Sequence, residues 1–195
     1  MRALILNGAL PGDNDLAPIE QSLDTALAIR GWTVDRLQLR DLTIVYCQGC
    51  FDCWVKTPGV CKTKDRAPEV TRALCQADLL VLLSAVTFGG YSSELKKALD
   101  RSIGIVSPFF ARLRGEVHHK ARYTRYPSLL AIGVVRDRDA EEERIFRTLV
   151  GRNAINFHSP THHVAFVGRS EPREMIWRAI GRAVALGTSG KHGAA

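Results

Sequence analysis

Short apolar runs alternate with helical stretches five times along the chain, a rhythm that predicts repeated βα units around a parallel sheet. The predicted strands are Arg2 to Asn7, Thr33 to Leu39, Leu79 to Ser84, Leu129 to Val135 and His163 to Val167. The third and fourth are apolar at odd and even positions alike, as strands covered by helices on both faces must be, and are assigned to the centre of the sheet. Apolar residues three or four apart mark the helices: Leu16, Ile19, Leu23 and Leu27 in the first, Leu95, Leu99 and Ile103 in the third. Ile145 and Leu149 with Phe146 mark the fourth, and Ile176, Ile180 and Ala183 the last. Gly31 stands where the first helix should stop, and Pro68 where the short second one should start.

Two segments break the rhythm. Asp41 to Lys64 holds most of the cysteines, Pro108 to Pro127 is rich in Arg, Lys and His, and neither has a clean period. Both are predicted as long loops, of a length that usually signals function. With no repeat and no linker, residues 1–187 are read as one domain, and the Gly-rich, polar tail 188–195 is expected to fray.

Composition narrows the class. A chain of 195 residues can bury a continuous core without disulfides or a structural metal. Hydrophobic residues at 46% with 24% charged residues exclude a disordered chain. The longest apolar run, Leu79 to Phe88, is broken by Ser84 and Thr87 and falls short of the roughly 20 residues of a spanning helix, so no membrane association is expected. Met1 leads straight into Ala3-Leu4-Ile5-Leu6 and a Gly/Pro loop, which predicts no signal peptide and, by default, a cytoplasmic location. There, five cysteines are expected to be reduced thiols, metal ligands or redox groups. The net charge of +7 suits an anionic cofactor, an acidic partner or nucleic acid alike.

In an open parallel sheet, ligands bind beyond the carboxyl ends of the strands where strand order reverses; in the order 2-1-3-4-5 that point lies between strands one and three. Two loops are therefore candidates. Asn7-Gly8-Ala9-Leu10-Pro11-Gly12-Asp13-Asn14-Asp15 is a small-residue turn feeding a helix N-terminus, where free N–H groups and the helix dipole favour a phosphate. In Ser84-Ala85-Val86-Thr87-Phe88-Gly89-Gly90-Tyr91 the glycines allow close backbone approach to a flat ring. Each loop alone also reads as a simple tight turn.

Val86 to Arg101 resembles the flavin-ring loop and following helix of the NAD(P)H-dependent FMN reductase and multimeric flavodoxin families, and Cys47-Gln48-Gly49-Cys50-Phe51-Asp52-Cys53-Trp54, with Gly59, Cys61 and Asp65, is similar to a cysteine segment in one branch of them. The resemblance, which runs from Met1 to about Val167, implies a flavodoxin-like three-layer α/β sandwich with a five-stranded parallel sheet of order 2-1-3-4-5. It further implies an FMN phosphate near Asn7, Gly8, Ala9, Pro11, Gly12 and Asn14, and the ring against Ser84, Val86, Thr87, Phe88, Gly89 and Gly90. No catalytic side chain is required, because backbone donors along Val86 to Gly90 tune the ring while the flavin carries the chemistry. One departure matters. Family members place Ser, Arg and Thr in the phosphate loop, whereas this chain has Ala9, Leu10, Asp13 and Asp15; guanidinium and hydroxyl donors are missing, and carboxylates repel a phosphate unless they point away.

The spacing of Cys47, Cys50, Cys53 and Cys61 resembles the compact motif of iron-sulfur flavoproteins, in which four thiolates hold a cluster. Zinc and simple packing of a loop around Phe51 and Trp54, with or without a reversible disulfide, are the other two readings. Cys75 is read as buried. The basic stretch Arg112 to Tyr126 is read as a solvated or subunit-facing loop or a docking site for NADPH phosphates; nucleic acid is not expected as a partner. His118 and His119 point to opposite sides of an extended chain, and with no adjacent nucleophile they support no hydrolase triad. The expectation is an FMN-binding NAD(P)H-dependent oxidoreductase, a homo-oligomer passing electrons to a small-molecule acceptor. The alternatives are an iron-sulfur flavoprotein electron carrier and a flavodoxin-fold protein that has lost its cofactor.

Overall fold

The computed structural model describes residues 1–189. Its main sheet is parallel and consists of β1 (Arg2–Asn7), β2 (Thr33–Gln38), β3 (Leu79–Ala85), β6 (Ser128–Val135) and β7 (His162–Gly168), in the order β2-β1-β3-β6-β7. Counting only these strands, the order is 2-1-3-4-5, the flavodoxin-like arrangement expected. Successive residues of the central strands feed opposite cores, which is why the runs are apolar throughout. Leu4, Leu6, Leu80, Leu82 and Ala131 pack with α3 (Ala67–Gln76), α4 (Ser93–Arg101) and α5 (Ala140–Asn156). Ala3, Ile5, Val81, Leu83 and Ile132 pack with α1 (Ala17–Ala28) and α6 (Arg173–Thr188). Pro68 lies in the first turn of α3, and Gly31 takes a left-handed φ of 76° just past α1.

Several expectations are corrected. Pro108 to Pro127 is largely a β-hairpin, β4 (Val106–Leu113) with β5 (Glu116–Ala121), turned through Arg114 and Gly115, whose φ values are 51° and 85°. It forms its own two-stranded sheet and leaves the main one undisturbed. On α5 the buried stripe is Phe146, Val150 and Ala154, while Ile145 is exposed, a helical step of one residue away from the expected face. Ile103 lies beyond α4 in a 3-10 turn, Ile103–Ile105, and Leu39 opens another, Leu39–Asp41, in place of ending β2. Cys75 is exposed, next in sequence to the buried Leu74 on α3. The last helix runs through Thr188, and residues 190–195 of the tail expected to fray lie outside the described residues.

The cysteine segment contains one short helix, α2 (Asp52–Val55), and packs on the hairpin. Trp54 donates from its indole nitrogen to the Val106 carbonyl at 3.1 Å and meets the His119 ring at 4.9 Å. The two inserted segments therefore form a single annex beside α4.

Candidate functional site

β1 and β3 are neighbours with Asn7 opposite Leu83, so the loops that follow them emerge side by side. Three polar groups stitch their roots together. Ser92 caps α4, accepting from Leu95 N, and its hydroxyl donates to the Gly8 carbonyl at 2.6 Å. Its own N–H donates to the buried Ser84 hydroxyl at 2.8 Å, and Gly8 N donates to Leu83 O at 2.8 Å. A Cβ on Gly8 would sit 2.6 Å from Ser92 Oγ and 2.8 Å from Leu95 Cβ, so only glycine lets the loops approach this closely. Ser84 is thereby placed under the loops, its hydroxyl consumed by Ser92 and the Ala85 carbonyl. Asn7 is buried as well: its Oδ1 accepts from Ala9 N and its Nδ2 donates to Glu20, shaping the start of the first loop.

The first loop continues as a turn from Leu10 to Asp13, closed by Asp13 N to Leu10 O at 3.0 Å, with Pro11 second and Gly12 third at φ 80°. That is the residue order a type II turn requires. The backbone N–H groups of Leu10, Gly12, Asn14 and Leu16 make no hydrogen bond among the described residues, so the loop presents unspent donors ahead of α1. The two carboxylates are engaged elsewhere. Arg169, just past β7, is ion-paired with Asp15 and lies 3.7 Å from Asp13 Oδ1. Arg40, in the turn after β2, donates to the carbonyls of Asp13 and Leu10 and lies 3.4 Å from Asn14 Oδ1. The guanidinium groups that the loop sequence lacks thus arrive from two other elements. Free donors in a glycine-lined turn, with the aspartates neutralised, are the features a phosphate ester needs, and the loop fits one on those grounds.

The second loop is a tight two-residue reversal. Thr87 and Gly90 exchange N–H to carbonyl bonds of 3.1 and 2.8 Å, and Phe88 and Gly89 between them have φ values of 50° and 72°. Gly89 is held against α5, where a Cβ would fall 2.6 Å from Ile145 Cγ2. Val86 N is bonded to Val134 O. Of the five backbone donors expected along Val86 to Gly90, three are therefore spent internally, and those of Phe88 and Gly89 are the ones left to meet a ligand. Phe88 itself is 90% exposed at the tip, a large apolar side chain held in a costly conformation. Tyr91, next along, is buried, and burial pushes its hydroxyl up to about 12 although Asn153 bonds to it at 3.1 Å.

Beyond Tyr91 a cavity of about 410 Å³ opens between α4, α5 and the cysteine segment. Cys47, Cys50, Cys53 and Cys61 all line it, with Phe51 and Trp54. None of the two loops' candidate residues does. All five cysteines are free thiols, and burial together with the neighbouring cysteines pushes the Cys53 thiol up. Burial also opposes ionisation of Cys61, but hydrogen bonds from Thr63 and the Arg101 guanidinium outweigh it and pull that thiol down. Arg101 is itself locked to Asp65 by two bonds of 2.6 and 3.0 Å, with the side chains only 1% and 2% exposed, and its Nε has no hydrogen-bond partner among the described residues. The donor chemistry suits a thiolate-held iron-sulfur group, although among the described residues no three Cys, His, Asp or Glu side chains converge as metal ligands.

His118 and His119 make separate contacts. His118 is buried between Asn156 and Glu116, and His119 bonds the Ser107 carbonyl between the rings of Phe110 and Trp54. Among the described residues no helix is long and apolar enough to cross a membrane. Nothing local in the sequence links Arg40 or Arg169 to the loop they hold, from which they are separated by 27 and 154 residues at their contacts.

The chain is similar to several known proteins. An iron-sulfur flavoprotein of Methanocaldococcus jannaschii is 32% identical over 103 residues, which is 52% of this chain and 52% of that protein. One from Archaeoglobus fulgidus is 28% identical over 102 residues, 52% of this chain and 49% of its own length. The chain thus spans about half the length of these curated relatives. Among solved structures, an NAD(P)H:quinone oxidoreductase from Methanothermobacter marburgensis superposes with a TM-score of 0.71 at 14% identity, covering 94% of this chain and 96% of that one. An FMN-dependent NADH-azoreductase from Bacillus anthracis, solved with FMN, gives 0.66 at 12% identity, covering 96% and 100%. At these identities the likeness is one of fold. The model of the family described as NADPH-dependent FMN reductase matches residues 1–121, more than half of the sequence and both rim loops, and the chain belongs to that family.

Proposed function

We propose that the protein is an FMN-dependent NAD(P)H oxidoreductase that delivers electrons to a small-molecule acceptor such as a quinone. The observation that carries this reading is the pair of rim loops, joined at Gly8 and Ser92, each presenting unspent backbone donors at the switch point of the sheet. Membership of the FMN reductase family supports it. Bound FMN would supply hydride acceptance and electron transfer. The chain's own part is to fix the phosphate at residues 8–16, to hold the ring edge with the N–H groups of Phe88 and Gly89, and to wall the ring with Phe88. Titration with FMN tests this: a ligand bound to the folded state at a hundred times its Kd raises stability by about 2.7 kcal/mol. An unchanged melting temperature and unquenched flavin fluorescence would reject the assignment. NADH and NADPH oxidation with a quinone then identifies the donor and acceptor.

A second reading adds an iron-sulfur cluster on Cys47, Cys50, Cys53 and Cys61, making the protein an electron carrier. Four cysteines lining one cavity and the iron-sulfur flavoprotein relatives favour it. Anaerobically purified protein should then contain stoichiometric iron and sulfide; protein still iron-free after reconstitution excludes it. The cytoplasm is the compartment that suits free thiols. A homo-oligomer accounts for the exposed Phe109, Phe110 and Val117 on the hairpin, and sedimentation equilibrium checks it.

A further inference from the structure

We propose that Arg40 and Arg169, drawn in from outside the loop, replace the loop guanidinium and hydroxyl donors of the family and confer selectivity for the phosphorylated flavin. The inference rests on the flavin reading above and concerns how the same site recognises the phosphate. Without the two arginines the 8–16 loop would carry two negative charges, from Asp13 and Asp15, at the place where a phosphate dianion must sit. Arg169 pairs with Asp15 and approaches Asp13, and Arg40 clasps the carbonyls of Leu10 and Asp13. Two guanidinium charges thus balance two carboxylates, and the remaining field is that of the α1 N-terminus and the free N–H groups.

Arg40 also sets direction. In a trans peptide the C=O and N–H point opposite ways, and the chain has no cis bonds among the described residues. Holding the Asp13 carbonyl toward Arg40 therefore turns the Asn14 N–H away from it, and that donor is left unbonded among the described residues. The Leu10 to Asp13 turn leaves the Gly12 N–H free on the same short stretch. Arg40 is in this sense a positioning residue: it acts through the backbone donors. The aspartate carboxylates, which look inhibitory in the sequence, are the hooks by which Arg169 is imported. Asp15→Asn should consequently weaken FMN binding, where simple removal of a repelling charge would strengthen it.

Comparison of FMN with riboflavin, which lacks the phosphate, isolates the effect. Wild-type protein should bind FMN more tightly than riboflavin. Arg40→Met and Arg169→Met should each raise the FMN Kd about tenfold or more, the scale of a lost charge-assisted contact, and leave riboflavin affinity unchanged. Arg40→Lys should recover part of the loss. Melting of the ligand-free variants reports whether the loop change has spread, and Arg169, being half-exposed, supplies a variant that keeps the turn. Wild-type-like FMN affinity in both variants, or equal losses for FMN and riboflavin, would overturn the proposal while leaving flavin binding intact. Wild-type protein that binds neither flavin would refute the flavin reading and this one with it.

Discussion

Replacing Gly8 by Ala tests whether the two rim loops are held together as described. The added methyl would meet Ser92 Oγ at 2.6 Å and Leu95 Cβ at 2.8 Å, with the Leu83 carbonyl at 3.2 Å. Leu95 Cβ sits at the root of its side chain and cannot rotate away, so either β1 lifts from α4 or Ser92 leaves its cap. Overpacking of a fitted contact costs about 1–3 kcal/mol. Displacing Ser92 adds a lost cap and a lost buried bond to the Gly8 carbonyl, each about 1 kcal/mol. Because relief of one lessens the other, a net loss of about 2–3 kcal/mol is expected. In a domain of this size that lowers Tm by about 5–10 °C, measured by circular dichroism, with urea unfolding giving the same loss at constant slope. Ser92→Ala alone should cost about 2 kcal/mol, and the double variant less than the sum, since removing Oγ makes room for the methyl. A Gly8→Ala protein that melts within 1 °C of wild type, or strict additivity in the double variant, would refute the close approach.

Three further outcomes are expected. Asp65→Asn leaves Arg101 buried without its partner and should cost about 3–5 kcal/mol in urea unfolding. Hydrogen bonds from Val45 and Arg101 outweigh burial and hold the Asp65 carboxyl below its ordinary 3.8, so the stability it contributes is complete above that value and is lost as pH falls through the lower folded value; an acid titration of wild type against the variant should converge there. Phe88→Gly relieves a left-handed non-glycine residue and should raise Tm by about 2–4 °C, while FMN affinity falls because the exposed ring no longer walls the site. Trp54→Ala should loosen the annex, which limited proteolysis would show as faster cleavage in both the cysteine segment and the hairpin, with the main sheet intact.

Strands β1, β3 and β6 were legible because burial on both faces leaves an unbroken apolar record, and Leu79 to Ala85 is the clearest case. The hairpin left a weaker one. Beyond Val106 and Ser107 its strands lie outside the main core, with Phe109, Phe110 and Val117 exposed, so no alternation of burial stands out; Arg114-Gly115 between β-branched and aromatic residues was the available turn signal. Ile145 and Phe146 differ by one helical step, which apolar spacing alone could not resolve. The rim loops were found from topology, but not which of their groups stay free: Ser84 and Asn7 are consumed in building the loops, and that depends on Ser92 and Glu20 arriving from elsewhere. Arg40 and Arg169 lie 27 and 154 residues from the aspartyl groups they touch, a separation at which sequence pattern carries no contact information.

The hairpin enters after α4 and returns before β6, yet Ser128 still pairs with Leu79 as though nothing lay between. To the sheet such an excursion is silent, costing little beyond closure of the loop, which grows only slowly with length. Descendants of this architecture are therefore free to lengthen, trim or re-aim the hairpin without renegotiating strand register. Diversification can be confined to the flank while the rim that would grip a nucleotide is inherited unaltered.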